Sequence, residues 1–98
     1  MKALGRAEFK VPGGKLLAAE TAVEDGRLVE VKITGDFFMH PEEAIEELEE
    51  ALTGLLAADA SIEKAVEGFF GKRTILLIGA SPGDFVHVLR LSLEGSPP

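Results

Sequence analysis

"FKVPGGKLLAAETAVEDGRLVEVKITGDFFMHPEE", residues 9–43, sets two turn signals between alternating runs, and its reading decides the fold. From Arg6 to Val11, Ala7, Phe9 and Val11 fall on one face and Arg6, Glu8 and Lys10 on the other. That period of two belongs to a half-buried strand. Val11-Pro12-Gly13-Gly14 then places proline second and glycine third, the chemistry of a type II turn. A second strand follows, and Asp25-Gly26 is a two-residue hairpin signal of the primed kind. In the third strand Val29, Val31 and Ile33 point inward, with Glu30, Lys32 and Thr34 outward. The expected strands are about 4–11, 15–24 and 27–35. Three antiparallel strands with one apolar face need a cover.

Helices supply that cover. Pro41 suits a first helical position, with Glu42 and Glu43 at the positive end of the helix dipole. Ile45, Leu48, Leu52 and Leu55 form one stripe, which predicts a helix over about 41–57. A second helix, about 61–70, carries Ile62, Ala65, Val66 and Phe69, with Ser61 as its cap and Gly71 as its stop. Thr74 to Ile78 reads as a short buried strand or an extended segment, and periodicity does not separate the two. Ser81-Pro82-Gly83-Asp84 opens a last helix, about 82–93, with a capping serine, proline first and aspartate third. Its apolar side is Phe85, Val88, Leu89 and Leu93, and residues 95–98 are read as a frayed tail. The class is α+β, a single domain over 1–98.

Composition narrows the partners. With 17 acidic and 10 basic residues the chain carries a net charge of −7. Such a surface repels phosphate backbones, so neither nucleic acid nor an anionic membrane is an expected partner. Cysteine is absent, which excludes disulfides, thiolate metal sites and cysteine nucleophiles. No apolar run reaches signal-peptide or transmembrane length, so a cytoplasmic location is expected. The 46% hydrophobic share argues against disorder.

Each candidate motif has a plain reading beside a functional one. Pro12, Gly13, Gly14 and Lys15 could present backbone N–H groups and a charge to a phosphate. However, a phosphate loop joins a strand to a helix, and these glycines join two strands. Glu42, Glu43, Glu46, Glu47, Glu49 and Glu50 fall away from the leucine stripe, a solvated face or a docking face for a basic partner rather than ligands. His40 and His87 are isolated from one another, so no metal site is expected. Gly79 to Gly83 precedes a helix, but Asp84 already occupies that helix's positive end. No nucleophile, base and orienting group stand together, so no catalytic residue is expected in this chain.

The order "VPGGK", a strand, "EDGRLVEVKITGDFFMHPEEAIEELEEAL" and then "SPGDFVHVL" resembles one family. It is similar to the C-terminal accessory domain of lipoate–protein ligases, in the form encoded as a separate small subunit. The resemblance covers about Arg6 to Leu93, and is most specific at Pro12-Gly13-Gly14-Lys15 and at Ile33-Thr34-Gly35-Asp36-Phe37-Phe38. It implies a fold like that of iron–sulfur scaffold proteins, although a chain without cysteine cannot serve as a cluster scaffold. It further implies that ATP, magnesium (Mg) and lipoate are used by an assembled ligase, with none bound by this chain alone. The accessory domain would be required to activate lipoate as lipoyl-adenylate and be moved aside for transfer to the lysine of an acceptor domain. Because the chain starts at Met1 with no preceding domain, it is expected to meet a catalytic subunit by association, as a heterodimer.

On that resemblance the Pro12–Lys15 turn would face the partner's nucleotide site. Gly35 would take an unusual backbone angle, Asp36 hold a turn, and Phe37 or Phe38 pack under the helices. Glu43, Glu46, Glu47 and Glu50 would form an acidic docking face. The rival expectation is a free-standing acidic binding module with no part in lipoylation.

Overall fold

Alternation and turn chemistry carry through into three dimensions. The computed structural model describes residues 2–13 and 15–94, so Met1, Gly14 and the tail 95–98 lie outside it. In chain order the elements are β1 (Ala3–Lys10), β2 (Leu16–Glu24), β3 (Arg27–Gly35), β4 (Phe38–His40), α1 (Ala44–Leu52), α2 (Asp59–Gly71), β5 (Leu76–Ile78) and α3 (Pro82–Glu94). Strands β1, β2 and β3 form an antiparallel sheet in that order. Gly13 has φ 108°, the positive angle a type II turn requires at its third position, and the Val11 N–H donates to the Lys15 carbonyl at 2.7 Å. Asp25 and Gly26 both have positive φ, 53° and 77°, as a type I′ hairpin demands.

One inward position differs from the alternation. Ala22 pairs with Glu30 and Val23 with Leu28, so β3 carries an extra residue, Val29, at a bulge. The bulge turns Leu28 into the core, where it is fully buried, and leaves Val29 only half-buried. Ile33 is buried as expected.

The inner face of the sheet (Ala7, Phe9, Leu17, Ala19 and Ile33) joins one core with Phe85, Val88 and Leu89 of α3. Each fully buried leucine, valine or phenylalanine among them, such as Leu17, Phe85, Val88 and Leu89, contributes roughly 1.5–3 kcal/mol. Two polar residues reach this interior. The Ser92 hydroxyl donates to the Leu89 carbonyl at 2.6 Å and lies 3.0 Å from the Thr21 hydroxyl, which is left to supply the proton of that second bond.

The first two helices depart from the expected bounds. Pro41 follows a cis peptide bond and lies in a turn ahead of α1, where its carbonyl accepts from the Ala44 N–H at 3.1 Å. The helix stops at Leu52, short of residue 57, because Thr53 is extended and the following residues pair with β3. Leu28 donates to the Leu55 carbonyl at 2.8 Å and accepts from the Gly54 N–H at 2.7 Å, and Ala57 donates to Gly26 at 2.8 Å. Leu55 thus packs on the core from a turn just past the helix, where its N–H donates to the Leu52 carbonyl at 3.3 Å, and so mimics the next turn of the helical stripe. Helix α2 starts at Asp59 with Ala58 in the N-cap position, so Ser61 lies inside the helix and does not cap it. By contrast, Ser81 and Asp84 close the start of α3 as a reciprocal cap. The Ser81 N–H and hydroxyl both donate to the Asp84 carboxylate, at 2.8 and 3.0 Å.

Glu49 also departs from expectation. Its carboxylate turns from solvent to accept the Ile33 N–H at 2.7 Å, on the side of β3 away from β2. The segment Thr74–Ile78 resolves into β5, antiparallel to β4, with Phe38 opposite Ile78 and His40 opposite Leu76. Strand β4 lies between the expected end of the third strand at about residue 35 and the first helix, where the alternation predicts no strand.

Candidate functional site

Three segments far apart in sequence meet at one corner of the molecule. Residues 11–15 join β1 to β2, residues 35–38 join β3 to β4, and residues 79–84 join β5 to α3. The Asp36 N–H donates to the Leu16 carbonyl at 2.9 Å, which ties the second segment to the first. Gly79 brings in the third. A Cβ placed on it would stand 3.2 Å from the Asp36 carbonyl oxygen, 3.5 Å from the Phe37 Cα and 3.5 Å from the Lys15 Cγ. The two most specific motifs, Pro12–Lys15 and Gly35–Phe38, are therefore neighbours through the β2–β3 pairing, and the lack of a side chain at Gly79 lets the third segment pack against both.

Gly35 is fixed by the same crowding. A Cβ there would collide with the Leu16 carbonyl oxygen and stand 3.0 Å from the Leu17 Cα. Its φ is 153°, as the expected unusual angle requires. Gly35→Ala is expected to lower unfolding free energy by about 2–3 kcal/mol in urea titration, because the obstruction is backbone that cannot swing away. Gly68 in α2 meets nothing within 4 Å, so Gly68→Ala is expected to stabilise by about 0.5–1 kcal/mol. Equal penalties at the two sites would overturn this account of Gly35.

The two phenylalanines of the second motif divide their roles. Phe37 packs inward, edge-on to Phe85 with ring centroids 5.2 Å apart. Phe85 in turn stacks on Phe70 at 5.9 Å, and Phe70 meets Phe69 at 5.5 Å. Phe38 points outward and stays half exposed. The Asp36 N–H bonds across to the Leu16 carbonyl, which prolongs the β2–β3 pairing past Gly35.

At the surface of this corner stand Pro12, Gly13, Lys15 and Asp36, all exposed, while Gly14 lies outside the described residues. The corner offers a cation, a close backbone approach and a rigid aromatic support. The start of α3 adds no open anion site, since Ser81 and Asp84 satisfy each other there. At the start of α1 and along it, Glu43, Glu46, Glu47 and Glu50 are exposed as a group, apart from Glu49. His87 is exposed, with the Phe9 ring 4.4 Å away. Among the described residues no group of three or more His, Asp or Glu is placed to hold a metal, and no helix is long and apolar enough to cross a membrane. A surface concavity lies on the outer face of the sheet, lined by Leu4, Arg6, Glu20, Glu30 and Lys32, and includes none of the corner. Its charges are largely engaged with one another, Arg6 with Glu20 at 3.6 Å and Glu30 with Lys2 at 3.2 Å.

A three-stranded sheet backed by helices, with a glycine-built corner at one end, defines a small α+β domain. Residues 7–89 match the family described as bacterial lipoate protein ligase C-terminus, and the chain belongs to that family. It is 33% identical over 79 residues to lipoate-protein ligase A subunit 2 of Thermoplasma acidophilum, an alignment covering 78% of each chain. Its fold matches a chain of a solved archaeal lipoylation system from Thermoplasma acidophilum, described as a bi-partite lipoate protein ligase and its E2 lipoyl domain. That match has a TM-score of 0.81 at 28% identity and covers 92% of this chain and 98% of the other.

Proposed function

We propose that this chain is the accessory subunit of a two-part lipoate–protein ligase, required for the ATP-dependent activation of lipoate and dispensable for transfer of the lipoyl group to the acceptor lysine. The observation that carries this reading is family membership across residues 7–89 in a chain similar over most of its length to a separately encoded ligase subunit. The catalytic subunit would hold ATP, Mg and lipoate. This chain would close over them with the Pro12–Lys15 turn, supplying order and exclusion of water without a reacting group. The exposed carboxylates Glu43, Glu46, Glu47 and Glu50 would steer the approach of a basic partner surface, a contribution to encounter rate more than to affinity. The test is co-purification with the catalytic subunit, followed by an adenylation assay in which the pair forms lipoyl-adenylate and neither protein does alone.

Lys15 supplies a finer test. Its side chain is exposed, so Lys15→Ala should leave stability within about 0.5 kcal/mol of the parent. If its ammonium offsets phosphate charge in the closed assembly, adenylation should slow by about tenfold, equivalent to ~1.4 kcal/mol of barrier. Lys15→Arg should recover most of the rate. Unchanged adenylation by Lys15→Ala in a complex of normal affinity would make the turn a plain hairpin.

A further inference from the structure

The ribbon of β4 and β5 puts three apolar side chains into solvent side by side. Antiparallel pairing sets Phe38 opposite Ile78, and Leu76 two positions along the same face. They are 49%, 56% and 53% exposed, while Met39, between Phe38 and His40, is buried in the core. The ribbon is therefore apolar on both faces: Met39 and Leu77 turn to the core, and the outer face shows phenylalanine, leucine and isoleucine, with His40 beside them.

The charge around them is equally unusual for this protein. The chain has 17 acidic residues, yet none falls in Phe37–Pro41 or between Arg73 and Gly83. Depletion of charge around an aromatic and aliphatic centre is the composition of an interface core. The three residues expose on the order of 300 Å² together, a patch size that on monomers is often functional. A second copy meeting this ribbon face to face would bury only about 600 Å² in all, well below the roughly 1,200 Å² of specific stable interfaces. The occupant must therefore be larger and extend past the ribbon. The patch runs directly into the corner already described, since Ile78 precedes Gly79, which packs against Lys15 and Asp36.

We infer that Phe38, Leu76 and Ile78 form the apolar centre of the surface on which the ligase's catalytic subunit seats, with the Pro12–Lys15 turn at its edge. The catalytic subunit would present a complementary apolar patch. This rests on the function proposed above, and it locates the short-range contact away from the carboxylates of α1. Steering and seating then fall on different surfaces: exposed charge on the helix, apolar area on the ribbon.

The experiment measures binding of the catalytic subunit to three forms of the full chain: the parent, Phe38→Ser/Ile78→Ser, and Leu4→Ser. Leu4 is 62% exposed but pairs with Ala22, at the end of the β1–β2 hairpin opposite the Pro12 turn. The double variant should bind at least 100-fold more weakly, with its thermal midpoint unchanged because both side chains are already half in water. Leu4→Ser should bind like the parent. Parent-like affinity of the double variant overturns the inference and leaves the ligase reading intact, since a complex still forms. Failure of the parent chain itself to bind overturns both. A homodimer of the parent chain abolished by Phe38→Ser/Ile78→Ser would also overturn it, by assigning the patch to a second copy.

Discussion

Given lipoate and ATP, the catalytic subunit alone is expected to form lipoyl-adenylate at least about 100-fold more slowly than with this chain present. Activation joins two anionic reactants and requires them aligned at short range with water kept out. A subunit that closes over the site supplies both conditions, and misalignment in its absence costs rate even when every reacting group is in place. Transfer has the opposite requirement. The acceptor lysine arrives on a folded domain, which a closed cover would obstruct. Supplied with preformed lipoyl-adenylate, the catalytic subunit should therefore lipoylate its acceptor without this chain. Full activation in its absence would remove the proposed role. A strict need for it with adenylate already made would instead assign it to docking the acceptor.

Phe85→Ala should be the most destabilising of the core truncations that bear on the corner. Phe85 is fully buried and touches Phe37 on one side and Phe70 on the other, so its ring joins the corner to both α2 and α3. Removing a buried phenylalanine leaves a cavity and costs about 3–5 kcal/mol. A domain of this size has only about 5–15 kcal/mol in total, so the variant should approach the edge of folding at 37 °C. Phe85→Leu should cost much less, about 1–1.5 kcal/mol, by keeping most of the volume. Urea titration of the three proteins checks the order. A loss below about 1 kcal/mol for Phe85→Ala would mean that the ring is not the junction the packing indicates.

What the sequence made legible was local. The three strands and their two turns rest on alternation and on turn residues within four positions of one another, and Ser81 and Asp84 signal their helix start three residues apart. What it concealed was decided by distant partners. Leu55 continued the helical stripe of α1 in sequence, yet the Leu28 amide claims its carbonyl and the chain turns away from the helix. Three-residue strands such as β4 and β5 carry too little pattern to declare themselves, although the outward spacing of Phe38 and of Leu76 and Ile78 held the signal once paired. The bulge at Val29 has no turn residue to announce it. At the site, Pro12–Lys15 and Gly35–Phe38 were legible as motifs, and the pairing of Leu17 with Gly35 sets them side by side; what stayed hidden was the third segment, because Gly79, which packs on Asp36 and Lys15, lies more than 40 residues from either. Glu49 looked like its five neighbours because a helical wheel does not show which carboxylate finds an unpaired amide.

That carboxylate has a consequence for the protein before it meets any partner. A bare sheet edge is a template on which strands of other copies can add. Here β3 is covered twice along that edge, at Leu28 by the returning segment 54–57 and at Ile33 by Glu49. The opposite edge, β1, alternates charged residues along its outer face, with Arg6 and Glu8 paired at 3.0 Å. Polymerisation through the sheet is thus blocked at one side by capped amides and discouraged at the other by charge. A strand from another copy therefore finds few free backbone groups along the β3 edge on which to add.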